Sequence, residues 1–404
     1  MLFNSQRVAF KLQVAFLQHV ALSQHNNYYK MPQTLHPLGQ QGMMVPRVGL
    51  GVMSAAFYGS GDTSTDEAAQ LAAIDRLVEL CAPNPAFLDT AFIYAHPTGL
   101  HSESICGKAI QKHGRDKFII ATKFGAAGGP TGPNSSRENI EKEYAASVNR
   151  LGTTPDLYYQ VRDRVQLLAH QSATSTTAPS LHTRLHQTAQ NTSSVPWQHR
   201  PDPQRPIEDV VADLKEMIAA GKFKYIGLSE CTPSELRRAH AIHPITAIQM
   251  EYSLAERGIE DALVPACAEL GVGIVCYSPL ARGLLAGGVT KKADLDSTDR
   301  RLTHPRFSEE NVDANVQKFA PLRALAAQKG CSPAQLALAW LLHKGVNIFV
   351  IPGSKTPARV EENIGAASVE LSADDVAMID GLDLKAVGAR YPPAMLTTVY
   401  EARM

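Results

Sequence analysis

Short apolar runs, each followed by a segment with apolar residues at helical spacing, repeat along most of this chain and leave few folds open. Val48-Gly-Leu-Gly-Val-Met53 opens the series, ahead of a helical pattern over residues 66–80. Phe87-Leu-Asp-Thr-Ala91 precedes a helix at 102–111, with Ser102 as its cap, and Phe118-Ile-Ile-Ala-Thr122 precedes one at 137–151. Asp156-Leu-Tyr-Tyr-Gln160, Tyr225-Ile-Gly-Leu-Ser229, Ala247-Ile-Gln-Met-Glu251, Gly273-Ile-Val-Cys-Tyr277 and Asn347-Ile-Phe-Val-Ile351 continue it. Further helices are predicted at 207–220, 233–241, 260–270, 312–329, 333–343 and 358–364. Pro206 and Gly221 bracket the first of these, and Ser332-Pro-Ala-Gln335 opens the fifth as a potential capping box. Strands that alternate with helices build a parallel sheet. Eight such units predict an α/β fold, a (β/α)8 TIM barrel. A doubly wound open sheet competes, but it wants a G-x-G-x-x-G turn after its first strand, and Gly49-Leu-Gly51 runs instead into Val-Met-Ser-Ala. Residues 35–39 and 43–46 flank a turn bounded by Gly39 and Gly42, which adds a short N-terminal β-hairpin.

Chemistry concentrates where two of these runs end. Phe87-Leu-Asp-Thr-Ala-Phe-Ile-Tyr94 finishes in an acid, a hydroxyl and a phenol, and the Phe118 run finishes in Lys123. In a parallel barrel that end of the strands carries the active site. A free phenol has a pKa near 10, and an adjacent ammonium lowers it. A buried acid keeps such an ammonium charged. Asp89, Lys123 and Tyr94 therefore read either as a proton donor with its tuners or as an ordinary ion pair capping two strands.

Charge and cysteine usage exclude several classes. Lys+Arg equals Asp+Glu at 39 each, which gives no footprint for nucleic acid or an acidic membrane surface. The six cysteines are scattered with no C-x-x-C pair, so they read as reduced core residues. No stretch approaches the roughly 20 apolar residues of a membrane helix. Residues 1–30 hold no acid and three full charges, Arg7, Lys11 and Lys30. They read as a leader outside the fold, either translated upstream sequence with Met31 as the start or a mitochondrial transit peptide. The first reading implies a cytoplasmic protein. The rest, 31–404, reads as a single barrel domain.

Residues 161–198 break the rhythm. They are rich in Ser, Thr, Gln and His and show no sustained period, which reads as loop or disorder. Structureless loops of this length are uncommon inside compact barrels. His182 and His186 share helical spacing, yet no third ligand accompanies them, so a metal site is not expected. Removing the stretch joins Tyr158-Tyr-Gln160 to His199-Arg200 and brings a histidine to the end of the fourth strand. Every valine codon begins GT and a glutamine codon can end AG, so Val161 and Gln198 permit an in-frame retained intron.

With those four residues in view, the chain resembles the aldo-keto reductases, NADPH-dependent reductases of aldehydes and ketones on a (β/α)8 barrel. The closer likeness is to the branch of general reductases and potassium-channel β subunits. It covers about residues 35–384. Its motifs are Gly49-Leu-Gly-Val-Met53, Leu88-Asp-Thr-Ala91 with Tyr94, Ala121-Thr-Lys-Phe-Gly125, Asp156-Leu-Tyr-Tyr-Gln160 with His199-Arg200, and Tyr225-Ile-Gly-Leu-Ser229. They continue with Gln249-Met-Glu-Tyr-Ser253, Tyr277-Ser-Pro-Leu-Ala-Arg-Gly283 and Ile351-Pro-Gly-Ser-Lys355. The resemblance implies a tetrad: Tyr94 as proton donor, Lys123 and Asp89 as its tuners, and His199 orienting the carbonyl. It also implies NADPH as cofactor. Tyr277 would stack on the nicotinamide, and Ser229 and Gln249 would bind its carboxamide. Ser278, Pro279, Leu280 and Gly283 would follow the pyrophosphate, with Gly51, Met53 and Gly353 beside the cofactor. Ser354, Lys355 and Arg359 would take the 2′-phosphate, and Glu362 and Asn363 the adenine.

Two other functions stand beside the reductase. A non-catalytic NADPH-binding regulatory subunit is favoured by the displacement of His199. A barrel lyase or isomerase would leave Tyr277, Lys355 and Arg359 without a task. By the same resemblance, residues around Phe57-Tyr58, 96–101 and 390–404 would be the specificity loops, and their aromatic and apolar content suggests a moderately apolar aldehyde or ketone.

Overall fold

The computed structural model describes residues 33–54, 62–125, 134–161, 205–295 and 299–392. The hairpin forms at the glycine-bounded turn, β1 (Leu35–Leu38) pairing antiparallel with β2 (Met43–Pro46). Eight parallel strands follow: β3 (Leu50–Gly51), β4 (Ala86–Asp89), β5 (Phe118–Phe124), β6 (Leu157–Val161), β7 (Tyr225–Ser229), β8 (Ala247–Glu251), β9 (Gly273–Tyr277) and β10 (Ile348–Val350). They pair in chain order. Parallel bridges Val48–Val350 and Gly51–Gly353 join the first strand to the last, and Gly49 N donates to Val350 O at 2.9 Å. The sheet thus closes into a (β/α)8 barrel, as the alternation predicts.

Period-2 alternation divides the apolar residues into two cores. Phe87, Ala121, Tyr159, Ala247, Val275 and Phe349 fill the barrel, and Leu38, Met43 and Val45 of the hairpin plug its N-terminal end. Their neighbours Leu88, Ile120, Tyr158, Ile248, Ile274 and Val350 face outward to the helices. Tyr159 fits inside only because Gly227 on β7 has no side chain, since a Cβ there would lie 2.2 Å from the tyrosine ring.

The outer layer holds α1 (Thr63–Cys81), α2 (Ser102–His113), α3 (Arg137–Leu151), α4 (Ile207–Ala219), α5 (Pro233–Ile242) and α6 (Leu263–Leu270). It continues with α7 (Glu309–Lys318), α8 (Ala320–Gln328), α9 (Pro333–His343), α10 (Pro357–Gly365) and α11 (Ala373–Asp380). The Ser332–Gln335 capping box is present on α9. Three expectations need correction. His101, not Ser102, caps α2, its Nδ1 accepting from Glu103 N at 3.2 Å. The helix expected at 312–329 breaks at Phe319, because Pro321 in the first turn of α8 has no N–H to give the preceding turn. β6 includes Val161, opposite Ser229, so the first residue of the predicted interruption is still strand. The remainder of 161–198, the leader, Phe57, Tyr58 and His199 lie outside the described residues.

None of the six cysteines forms a disulfide, and five of them are buried. Among the described residues no cluster of three or more His, Cys, Asp or Glu side chains could hold a metal, and no helix is long and apolar enough to cross a membrane.

Candidate active site

Strand register brings the first pair together. Asp89, the last residue of β4, lies opposite Ala121 of β5. Lys123, two residues on, shares Ala121's inward face. Its ammonium donates to Asp89 Oδ1 at 2.5 Å and to Thr90 O at 2.7 Å. Gln249 Nε2 donates to the other carboxylate oxygen at 2.7 Å. Side-chain exposure is 1% for Lys123 and 3% for Asp89. Burial is the largest influence on both groups. It pushes the Asp89 carboxyl up and the Lys123 ammonium down, while their mutual attraction opposes it. A second carboxylate, Glu103, also favours charged Lys123. Glu103 is fully buried, accepts from Thr122 Oγ1 at 2.6 Å and pairs with Arg150 at 2.6 Å.

Tyr94 closes this cluster from above. It packs with Ala91, Ile93 and Met53, and Lys123 Nζ lies 5.1 Å from its ring centroid. A buried acid, a buried ammonium and a phenol thus meet at the C-terminal ends of adjacent strands.

A cavity of about 520 Å³ opens over these strand ends. Asp89 and Tyr94 line one part of it, and Lys123 lies behind Asp89. Every residue expected to hold a cofactor lines the same cavity: Gly51, Met53, Ser229, Gln249, Tyr277, Ser278, Pro279, Leu280, Gly283, Gly353, Ser354, Lys355, Arg359, Glu362 and Asn363. Two of its glycines leave no room for a side chain, Gly51 against backbone and Gly353 against a side chain. A Cβ on Gly51 would meet Ile351 O at 2.9 Å, and one on Gly353 would meet Ser54 Oγ at 2.8 Å. Near α10, Asn363 Nδ2 donates to Ser354 Oγ at 2.9 Å, and Gln70 Nε2 donates to Ser354 O at 3.0 Å. Lys355 lies 3.6 Å from Asp66, and Arg359 pairs with Glu362 at 2.7 Å. An aromatic ring, bare glycine backbone and two cations along one cavity fit a ligand with a flat ring at one end and a phosphate at the other.

The segment 279–311 packs over this cavity rather than away from it. Asp299, Arg301 and His304 line it, Arg301 pairs with Asp299 at 2.6 Å, and its Nη1 donates to Arg282 O at 3.0 Å. Residues 296–298 are outside the described set.

Gln249 has a further task that its motif did not suggest, since its amide nitrogen is engaged by Asp89. The sequence reading also missed Glu230 and Glu251, buried acids at the exits of β7 and β8. The signal was available, because each ends an apolar run as Asp89 does.

The Aldo/keto reductase family model matches residues 47–164 and 180–384 of this chain. The unmatched gap lies within the stretch read as an interruption. Among solved structures, the chain is similar to the thermostable aldo-keto reductase Tm1743, solved with the inhibitor epalrestat. The two share 23% identity at a TM-score of 0.60, over 86% of this chain and 99% of that one. A glycerol dehydrogenase from Gluconobacter oxydans matches at 23% identity and a TM-score of 0.65, over 89% and 98% of the two chains. At that identity the likeness speaks for the fold.

Proposed function

The chain belongs to the aldo/keto reductase family, oxidoreductases that act on small-molecule carbonyl compounds, and we propose that it reduces an aldehyde or ketone to an alcohol with NADPH, Tyr94 giving the proton. The observation that carries this reading is the buried Asp89–Lys123 pair beneath Tyr94, in one cavity with Tyr277, Lys355 and Arg359. When bound, NADPH supplies the hydride.

The remaining chemistry belongs to the side chains. Tyr94 O–H donates its proton to the carbonyl oxygen, so that charge does not accumulate there. Lys123 stabilises the phenolate left behind. Asp89 keeps Lys123 protonated in a site that burial would otherwise neutralise, and Gln249 holds the carboxylate in place. His199 would orient the carbonyl. Lys355 and Arg359 would hold the 2′-phosphate through charge-assisted bonds, which favours NADPH over NADH.

One observation favours a second reading for the long chain. Val161 occupies the strand position opposite Ser229. Without residues 161–198, His199 would follow Gln160 directly and take that position. The 404-residue form is then an NADPH binder that turns over poorly. NADPH affinity and aldehyde-dependent consumption of NADPH, measured on the same sample across a panel of aldehydes, test both readings. Turnover in the chain lacking 161–198 supports the reductase, equal turnover in the 404-residue chain overturns the second reading, and binding without turnover in both lengths supports a regulatory subunit instead. No NADPH binding would overturn both.

A further inference from the structure

Beside the catalytic cluster lies a buried ion network that none of the steps above uses. Glu251, the last residue of β8, is wholly enclosed and meets three guanidinium groups: Arg282 at 3.1 Å, Arg306 at 3.3 Å and Arg390 at 3.3 Å. Arg390 also pairs with Glu230 at 2.8 Å, and Arg306 with Glu256. Charges taken out of water persist only when paired and hydrogen-bonded, so the network holds its members firmly. Arg282 and Arg306 come from the segment over the cavity, and Arg390 from the C-terminal segment. The network ties both to the barrel rim.

Tyr277 joins this network through Glu230 and Arg390. The Tyr277 hydroxyl donates to Glu230 Oε1 at 2.8 Å, receives Arg390 Nη1 at 3.0 Å and lies 3.3 Å from the Tyr391 hydroxyl. Burial, with the Glu230 carboxylate next, pushes this hydroxyl well above the usual phenol range, so it keeps the proton it donates. The Tyr391 ring is held in turn, with the Arg282 guanidinium 4.9 Å from its centroid and the His304 ring at 5.6 Å. The local backbone is strained in the same place. Among the described residues, those other than glycine with positive φ are Glu230 (54°), Ser278 (48°), Ala281 (50°) and Arg282 (56°). Such conformations persist only where the surroundings over-determine them, and they gather at functional sites.

We propose that Glu230 and Arg390 are positioning residues that fix the Tyr277 ring by its hydroxyl, and that the C-terminal segment thereby sets the plane against which the nicotinamide is held. This rests on the NADPH reading. It assigns residues 390–391 a role beyond shaping the substrate pocket. A cofactor ring free to tilt would still bind, because Tyr277 keeps its face. Transfer would suffer, since misplacement by about 1 Å costs on the order of 100-fold.

The test uses Tyr277→Phe, Arg390→Met and the double variant in the full-length chain and in the chain lacking 161–198. NADPH affinity, the fluorescence anisotropy of bound NADPH and kcat are read in each, with the melting temperature of the unliganded protein. Tyr277→Phe leaves every ion paired, so it reports on the hydroxyl alone. The expected result is affinity within about threefold, lowered anisotropy, and kcat down roughly 10- to 100-fold. Arg390→Met should reproduce those changes, and the double variant should lose no more than the worse single one. Wild-type anisotropy and kcat in Tyr277→Phe would overturn the proposal. So would losses that multiply in the double variant, or an Arg390→Met effect confined to melting. Absence of NADPH binding in the unsubstituted protein would instead remove the reading beneath it.

Discussion

Deleting residues 161–198 separates what the fold needs from what catalysis needs. The deletion joins Gln160 to His199. β6 register then places His199 opposite Ser229, on the inward face it shares with Tyr159, beside the strand that carries Lys123. The cost to folding of keeping the stretch is small. The connection from β6 to α4 lengthens roughly sixfold, between two and three doublings at about 0.6 kcal/mol each, or under about 2 kcal/mol. The two chains should therefore melt within a few degrees of each other. Their kcat values should differ far more, on the order of 100-fold in favour of the short chain, because the residue proposed to orient the carbonyl would then follow β6 directly. Steady-state reduction of an aldehyde panel with NADPH, beside thermal melts, measures both. Equal kcat would show that the stretch does not disturb the site, and a short chain that cannot fold would show that the barrel requires it. The origin of the stretch is decided by codon 198. A retained intron requires CAG there, and CAA would exclude it.

Three further outcomes follow from the site. Tyr94→Phe in the short chain should abolish reduction yet leave NADPH affinity nearly unchanged, since it removes the acid and not the cofactor's contacts; a large loss of affinity in a titration would refute the assigned role. Lys355→Ala should weaken NADPH by about 10- to 100-fold, the worth of a charge-assisted bond, with little effect on NADH. Equal effects on both would show that this lysine does not read the phosphate. Burial holds the Glu143 carboxyl at about 7, where it accepts from Gly125 N at 2.8 Å beyond the end of β5. A folded-state value raised above the unfolded one favours the fold fully below the unfolded value, and that advantage is lost as pH rises through about 7. Glu143→Gln should therefore gain stability relative to wild type between about pH 5 and pH 8, on the order of 2–3 kcal/mol by urea unfolding. A pH-independent difference would refute this.

The barrel was legible because its signal is local. An apolar run followed by a helical period needs only neighbouring residues, and β7, β8 and β9 begin and end where the pattern places them. Errors fell where a distant or weaker influence decides. α11 was missed because its apolar face is thin, with Ile379 its buried residue, although Ser372 and Asp375 form a capping box at its start. The break before α8 was missed because apolar periodicity continues through Phe319, and only Pro321 marks the turn.

The site divides along the same line. Asp89 and Lys123 end adjacent strands, so their meeting follows from the strand assignments and one register. The contacts that complete the rim obey no local rule. Gln249 reaches Asp89, and Arg390 reaches Glu230, across 160 residues in each case. Such pairs exist only after the sheet has closed on itself and the C-terminal segment has returned across the strand ends. A sequence can show that Glu230 and Glu251 end apolar runs, and buried acids demand partners. Which arginines answer depends on the closed ring. Closure places Arg282, Arg306 and Arg390 within reach of the Glu251 carboxylate, and Arg390 goes on to the Tyr277 hydroxyl, so the segment over the cavity and the C-terminal residues meet on one buried acid beside the cavity.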